Sequence, residues 1–139
     1  MSALDEARDA YQQVYNSDDN EAKFALELIA AAVAFAAMQI FENQQREEGR
    51  INRKDLKVFL LKAYLGKAIE HAVAKEILAG IVAAELIRLI ETKGDDEIDK
   101  DAARQQAQDV SCTIYEQYYV VELNADEYDP NQYPQPDLN

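Results

Sequence analysis

The stretch EILAGIVAAELIRLIE, residues 76–91, repeats the plan of an earlier one, ELIAAAVAFAAMQIFE, residues 27–42. Glu27 aligns with Glu76, Ala30 with Ala79 and Ala31 with Gly80. Val33 and Ala34 align with Val82 and Ala83, and Glu42 with Glu91. Long apolar runs broken only by single polar residues read as helices buried over most of their surface. On a helix Glu27, Ala30, Ala31 and Ala34 share one face, as do Glu76, Ala79, Gly80 and Ala83. Small side chains at that spacing let two backbones approach closely. The reading is that the two helices cross on these faces, related by a pseudo-two-fold.

Outward from the repeat, the chain divides into further helices. Ser2 can cap a first helix, with Asp5 in capping-box position, and Leu4, Ala7, Tyr11, Val14 and Tyr15 then fall on one face. NSDDN (16–20) ends it. The second helix is expected over about 21–48, stopping at Gly49. A third is expected over 53–65 and a fourth over about 68–93, before Gly94. The acids of DDEIDK (95–100) open a fifth, which runs to about Tyr119. The only strand candidate is the short YYVVEL (118–123). The expected fold is all-α: a compact bundle of about five helices with an internal repeat. It forms one domain over 1–123, followed by an irregular tail, 124–139, with three prolines and scattered tyrosines, either loose or laid over the body.

Composition narrows the function. With 27 acidic against 14 basic residues, the formal charge of −13 repels a phosphate backbone, which argues against nucleic-acid binding. The lone Cys112 allows no intramolecular disulfide and reads as a small buried apolar residue. The charged start, MSALDEARDAY, is not a signal peptide, and the expected location is cytoplasmic. The run 25–41 carries Glu27 and Gln39 and is shorter than the roughly 20 residues of a membrane span, so no integral membrane association is expected. A single histidine, His71, rules out paired Glu-x-x-His di-iron motifs and, with Cys112, supplies too few ligands for zinc. The four glycines are isolated, so there is no phosphate loop, and no nucleophile motif surrounds Ser2, Ser17 or Ser111. No metal and no cofactor are expected.

Candidate site residues follow from the repeat. Glu27 and Glu76 either converge beside an apolar pocket, where one carboxyl would be pushed up for acid–base work, or lie solvated at the domain edge. Glu42 and Glu91, near helix ends, are expected at the surface. His71 titrates near neutrality and lies about 140° around the helix from Glu76, so its partner must come from another helix. Phe35, Met38, Phe59, Tyr64 and Tyr115 are the candidates to line a site for a hydrophobic small molecule. The segment 50–67 gathers Arg50, Arg53, Lys54, Lys57, Lys62 and Lys67 against Asp55 alone, with an apolar stripe of Leu56, Phe59, Leu60 and Tyr64. It suits either a partner or membrane surface or, more simply, docking on the acidic body.

The stretches DEARDAYQQVYN, KFALELIAAAVAFAAMQIFENQQREEG, HAVAKEILAG, ETKGDDEIDKDAARQQAQ and YDPNQY together resemble the fungal CipC-like proteins, a family named for a concanamycin-induced member and carrying a domain of unknown function. The resemblance implies a small intracellular fungal protein linked to antibiotic stress, competition or secondary metabolism, and it supplies no catalytic residues. Two departures stand out. Segment 50–69 lies where the family passes almost directly from its EEG-like turn to the HAVAKE-like segment, so helix 50–67 reads as an insertion. The family's histidines around the last helix are also replaced here, by glutamines among others. The functional expectation is binding of a hydrophobic small molecule. The alternatives are a cofactor-free cyclase, isomerase or dehydratase using glutamate acid–base chemistry, and a non-catalytic homo-oligomeric interaction protein.

Overall fold

The computed structural model describes residues 2–16, 24–46, 68–93 and 98–139. They form four α-helices: α1 (Ala3–Tyr15), α2 (Leu26–Arg46), α3 (His71–Lys93) and α4 (Lys100–Tyr115). The chain continues from α4 into a π-helical segment, Glu116–Glu122, and there is no strand among the described residues. The fold is all-helical. The helix expected over 53–65, with Phe59 and Tyr64, lies outside the described residues.

Local chemistry sets the helix starts. Ser2 Oγ accepts the Asp5 amide at 3.1 Å and Asp99 Oδ1 accepts the Ala102 amide at 3.1 Å, each satisfying a donor that the first turn leaves without a partner. The central element is α2, which packs against α1, α3 and α4. Its buried residues, among them Ile29, Ala30, Val33, Ala34, Phe35, Ala37, Met38 and Phe41, point in nearly all directions around the axis. By length and composition α2 could cross a membrane, yet most of its apolar run is enclosed by the other helices.

The two copies of the repeated stretch are used differently. On α2, Ala30 and Ala34 are buried as expected. On α3 the core-facing residues are Ala74, Leu78, Val82, Leu86 and Leu89, and the face with Glu76 and Gly80 is turned outward. Among the described residues nothing outside the helix's own backbone lies within 4 Å of the position a Gly80 Cβ would take. The crossing on matched small-residue faces is therefore not formed. Bulky Leu and Val side chains bury more apolar area than Gly and Ala, and that larger gain decides which side of α3 faces inward.

The fifth expected helix ends earlier as an α-helix and then changes pitch. The YYVVEL candidate strand is part of this π-helical segment, leaving Val121 75% exposed and Tyr119 buried. Asn124, at φ 49°, then turns the chain sharply back. The left-handed region is costly for most residues but tolerated by asparagine. The tail beyond it lies over the body. Tyr128 exchanges both backbone hydrogen bonds with Ile69, each 2.8 Å, and Tyr128, Ala125 and Leu138 are buried.

Candidate functional site

Two of the buried polar side chains, Glu42 and Gln45, lie near the C-terminal end of α2. Glu42 is completely buried, which corrects the expectation of a surface residue. One carboxylate oxygen accepts the Tyr128 hydroxyl at 2.6 Å, and the other accepts the Tyr119 hydroxyl in a very short contact. Tyr119 comes from the π-helical segment and Tyr128 from the tail, so the last part of the chain closes over this glutamate. The Arg46 Nε lies 3.6 Å from Glu42, one helical turn away, an ion pair without a direct hydrogen bond. The rest of its guanidinium donates to the Pro130 carbonyl at 2.9 Å, the Tyr133 carbonyl at 3.0 Å and the Tyr119 hydroxyl at 3.2 Å.

Burial pushes the Glu42 carboxyl above its ordinary value; the Tyr119 and Tyr128 hydroxyls and the Arg46 charge pull it down without reversing the shift. Burial also raises the phenols of Tyr119 and Tyr128, and the neighbouring Glu42 charge adds to it. In either protonation state the carboxyl group sits in a ready-made hydrogen-bonding frame. One residue of the same region is not satisfied. Gln45, 1% exposed and three positions beyond Glu42, has no hydrogen-bond partner among the described residues for either its amide oxygen or its amide nitrogen.

His71 and Tyr115 extend the cluster. The imidazole stands edge-on to the Tyr115 ring, with centroids 5.5 Å apart. Its Nε2 lies 2.7 Å from the Ala125 carbonyl and its Nδ1 lies 2.7 Å from the Tyr115 hydroxyl. A carbonyl can only accept, so Nε2 carries the hydrogen, and in the neutral ring Nδ1 accepts from Tyr115. Tyr115 is buried and packs on Tyr119 and Tyr128 at 5.0 and 6.4 Å; Tyr128 also meets Phe41 at 4.9 Å. The partner of His71 does come from other elements, as its helical position required.

The remaining candidates are dispersed. Glu27 and Glu76 are exposed, and Glu76 lies on the outward side of α3. Phe35 is buried against Tyr11, 5.0 Å away, with the Arg8 guanidinium 5.8 Å from its ring. Met38 is fully buried in the core. Cys112 is only half-buried and its thiol donates to Glu116 at 3.7 Å, so it is not the enclosed apolar residue expected. No three metal-ligating side chains come together among the described residues.

Sequence reasoning missed the site roles of Glu42, Gln45, Arg46 and Tyr128. A signal for the first two was present, because Phe35, Met38, Glu42 and Gln45 form one stripe at helical spacing. Two polar residues continuing an apolar stripe are the mark of a buried polar site.

A family model described as "Virulence factor CipC-like", a domain of unknown function, matches residues 10–118. The chain belongs to the CipC-like family. Neither the curated proteins nor the solved structures yield a match. Glu42, Arg46, His71 and Tyr115 lie within the stretch that matches the family, whereas Tyr119, Tyr128 and the rest of the tail follow it. This CipC-like chain thus completes its polar site with residues from outside the matched stretch.

Proposed function

We propose that this CipC-like protein binds a small molecule with an apolar body and a polar head, at the Glu42 side of α2 beneath the C-terminal tail. The observation that carries the reading is Gln45, whose buried amide has neither atom hydrogen-bonded among the described residues: such an amide costs stability, and a ligand that pairs with it recovers that cost. Glu42 and Arg46 offer a second polar contact, and Phe41, Met38 and the tyrosine cluster offer the apolar surroundings. Entry requires the tail to lift. The setting suggested by the family resemblance is fungal stress or secondary metabolism in the cytoplasm.

Gln45→Leu tests this directly. Replacing an unsatisfied amide by an apolar group of similar size should stabilise the free protein by about 1–3 kcal/mol. The same change should abolish the rise in melting temperature given by apolar metabolites with an amide, hydroxyl or carboxyl head. If no such compound raises the melting temperature of the unmodified protein, the binding reading fails. Native mass spectrometry of protein gently purified from its source would give the mass of a retained ligand.

A second reading rests on Glu42 itself. A carboxyl raised by burial and held between two phenols suits general acid–base catalysis on a hydrophobic intermediate without a cofactor. It transfers to Glu42 the acid–base role first assigned to Glu27 and Glu76. Unchanged product formation by a Glu42→Gln variant would end that mechanism.

A further inference from the structure

The C-terminal segment is held through its backbone carbonyls as well as through buried side chains. The body supplies side-chain donors and the tail supplies carbonyl oxygens: Gln39 Nε2 to Leu138 at 2.8 Å, Arg46 to Pro130 and Tyr133, and the Tyr118 hydroxyl to Pro134 at 2.7 Å. Arg8 donates to the Asp137 carbonyl, and His71 to that of Ala125. Buried side chains anchor the segment as well, Tyr128 on Glu42 together with Ala125, Pro136 and Leu138, Asp137 lies 3.8 Å from Arg8, and one two-bond bridge joins the segment to Ile69. The body therefore presents a peptide-binding groove whose occupant happens to be attached. The attachment point is Asn124, the only non-glycine residue among those described with a positive φ.

From these features we infer that the groove accepts the same segment from a second copy of this chain, giving a dimer in which residues 125–139 are exchanged. Every contact that holds the tail within one molecule is available between two, so the exchanged dimer loses nothing but the turn at Asn124 and the advantage of covalent attachment. The turn is one that asparagine tolerates, and as the only positive-φ non-glycine residue among those described it marks a hinge between body and tail. At micromolar concentration attachment wins and the chain closes on itself; toward millimolar concentration, the usual effective concentration of a short tether, exchange competes. The inference is independent of whether the site beneath the tail binds a ligand.

The experiment is to block the turn in the full-length chain. Proline fixes φ near −65° and disfavours the helical conformation that Leu123 holds before it, so Asn124→Pro cannot close as the native chain does. Size-exclusion chromatography with light scattering should show Asn124→Pro as a dimer at concentrations where the native chain and Asn124→Gly are monomers. Hydrogen exchange should find the Ile69 and Tyr128 amides of that dimer protected. Adding Gln39→Leu and Tyr118→Phe, which remove two groove donors, should weaken the Asn124→Pro dimer roughly tenfold or more. A soluble Asn124→Pro chain that stays monomeric, or a dimer unaffected by the two groove substitutions, overturns the inference. Should Asn124→Pro precipitate, unlabelled and 15N-labelled native chains, unfolded in urea and refolded together near millimolar concentration, decide it. A dimer of mixed mass is expected there, and monomer alone overturns the inference.

Discussion

Two buried glutamates on neighbouring helices show two ways of taking a carboxylate out of water. Glu85 on α3 is 5% exposed and accepts the Tyr15 hydroxyl at 2.9 Å, while Arg88, a turn away and 60% exposed, grips it at 2.5 and 3.0 Å. Its cation therefore keeps its own hydration while neutralising the buried charge. Glu42 on α2 is fully enclosed, and its two close donors are neutral phenols. Its arginine stands 3.6 Å off, with its other nitrogens committed to tail carbonyls and to Tyr119. The first arrangement closes an edge of the bundle. The second leaves a carboxyl whose protonation is poised by burial, next to an unsatisfied amide, and it needs the tail to be complete. Neutralisation at the rim and enclosure in the interior have different chemical consequences.

Substitution at Glu42 should separate the two most. Glu42→Ala leaves two buried phenols and a half-buried guanidinium without their common partner, and should cost about 3–5 kcal/mol, read as a lower urea midpoint. A cost no larger than that of Glu85→Ala would remove the distinction. Tyr128→Phe deletes one hydroxyl bond to the carboxyl without opening a large cavity, and should cost about 1.5–3 kcal/mol. It should also speed exchange of the Ile69 amide, because the tail loses an anchor. At the other site, Arg88→Ala should cost only about 0.5–1 kcal/mol, since that guanidinium is mostly in water.

The pH dependence sharpens the same comparison. The Glu42 carboxyl is raised in the folded state, so the native protein holds its proton more tightly than the unfolded chain does. Its contribution to stability is fully present below the ordinary value near 4.5 and is lost as pH rises through the folded value. The Glu116 carboxyl, lowered by Lys75, works in the opposite sense, with stability lost as pH falls. Subtracting the profile of Glu42→Gln from that of the unmodified protein isolates the first effect. The difference should decline with rising pH above 4.5; a flat difference would place Glu42 outside the poised state described here.

Much of the architecture was legible in the sequence. Ser2 marked the start of α1, the apolar run of 25–41 marked the central helix, and isolated prolines marked the end of regular structure. The two long apolar runs signalled two core helices, but matching them residue by residue misled about how the helices meet, because resemblance between two helices carries no information about which face each one buries. That choice followed Leu78, Val82 and Leu86, whose larger side chains outweighed the small-residue face. The site was less legible for a different reason. Glu42 lies at the end of an apolar stripe and could have been suspected. Its partners Tyr119 and Tyr128 reach it only after a change of helical pitch and a left-handed turn, neither of which leaves a periodic trace. Distant side chains brought together by irregular backbone escape any reading based on period.

The π-helical segment, Glu116–Glu122, holds one residue in reserve near the end of the chain. Hydrogen bonds closed five residues apart, in place of four, accommodate one residue more than an α-helix would over the same rise. Removing a single residue between 116 and 118 would let ordinary α-helical closure return while the residues beyond the segment keep their register on the axis. What this segment holds fixed is therefore the side chain of Tyr119 against Glu42, whereas its residue count has one residue of slack.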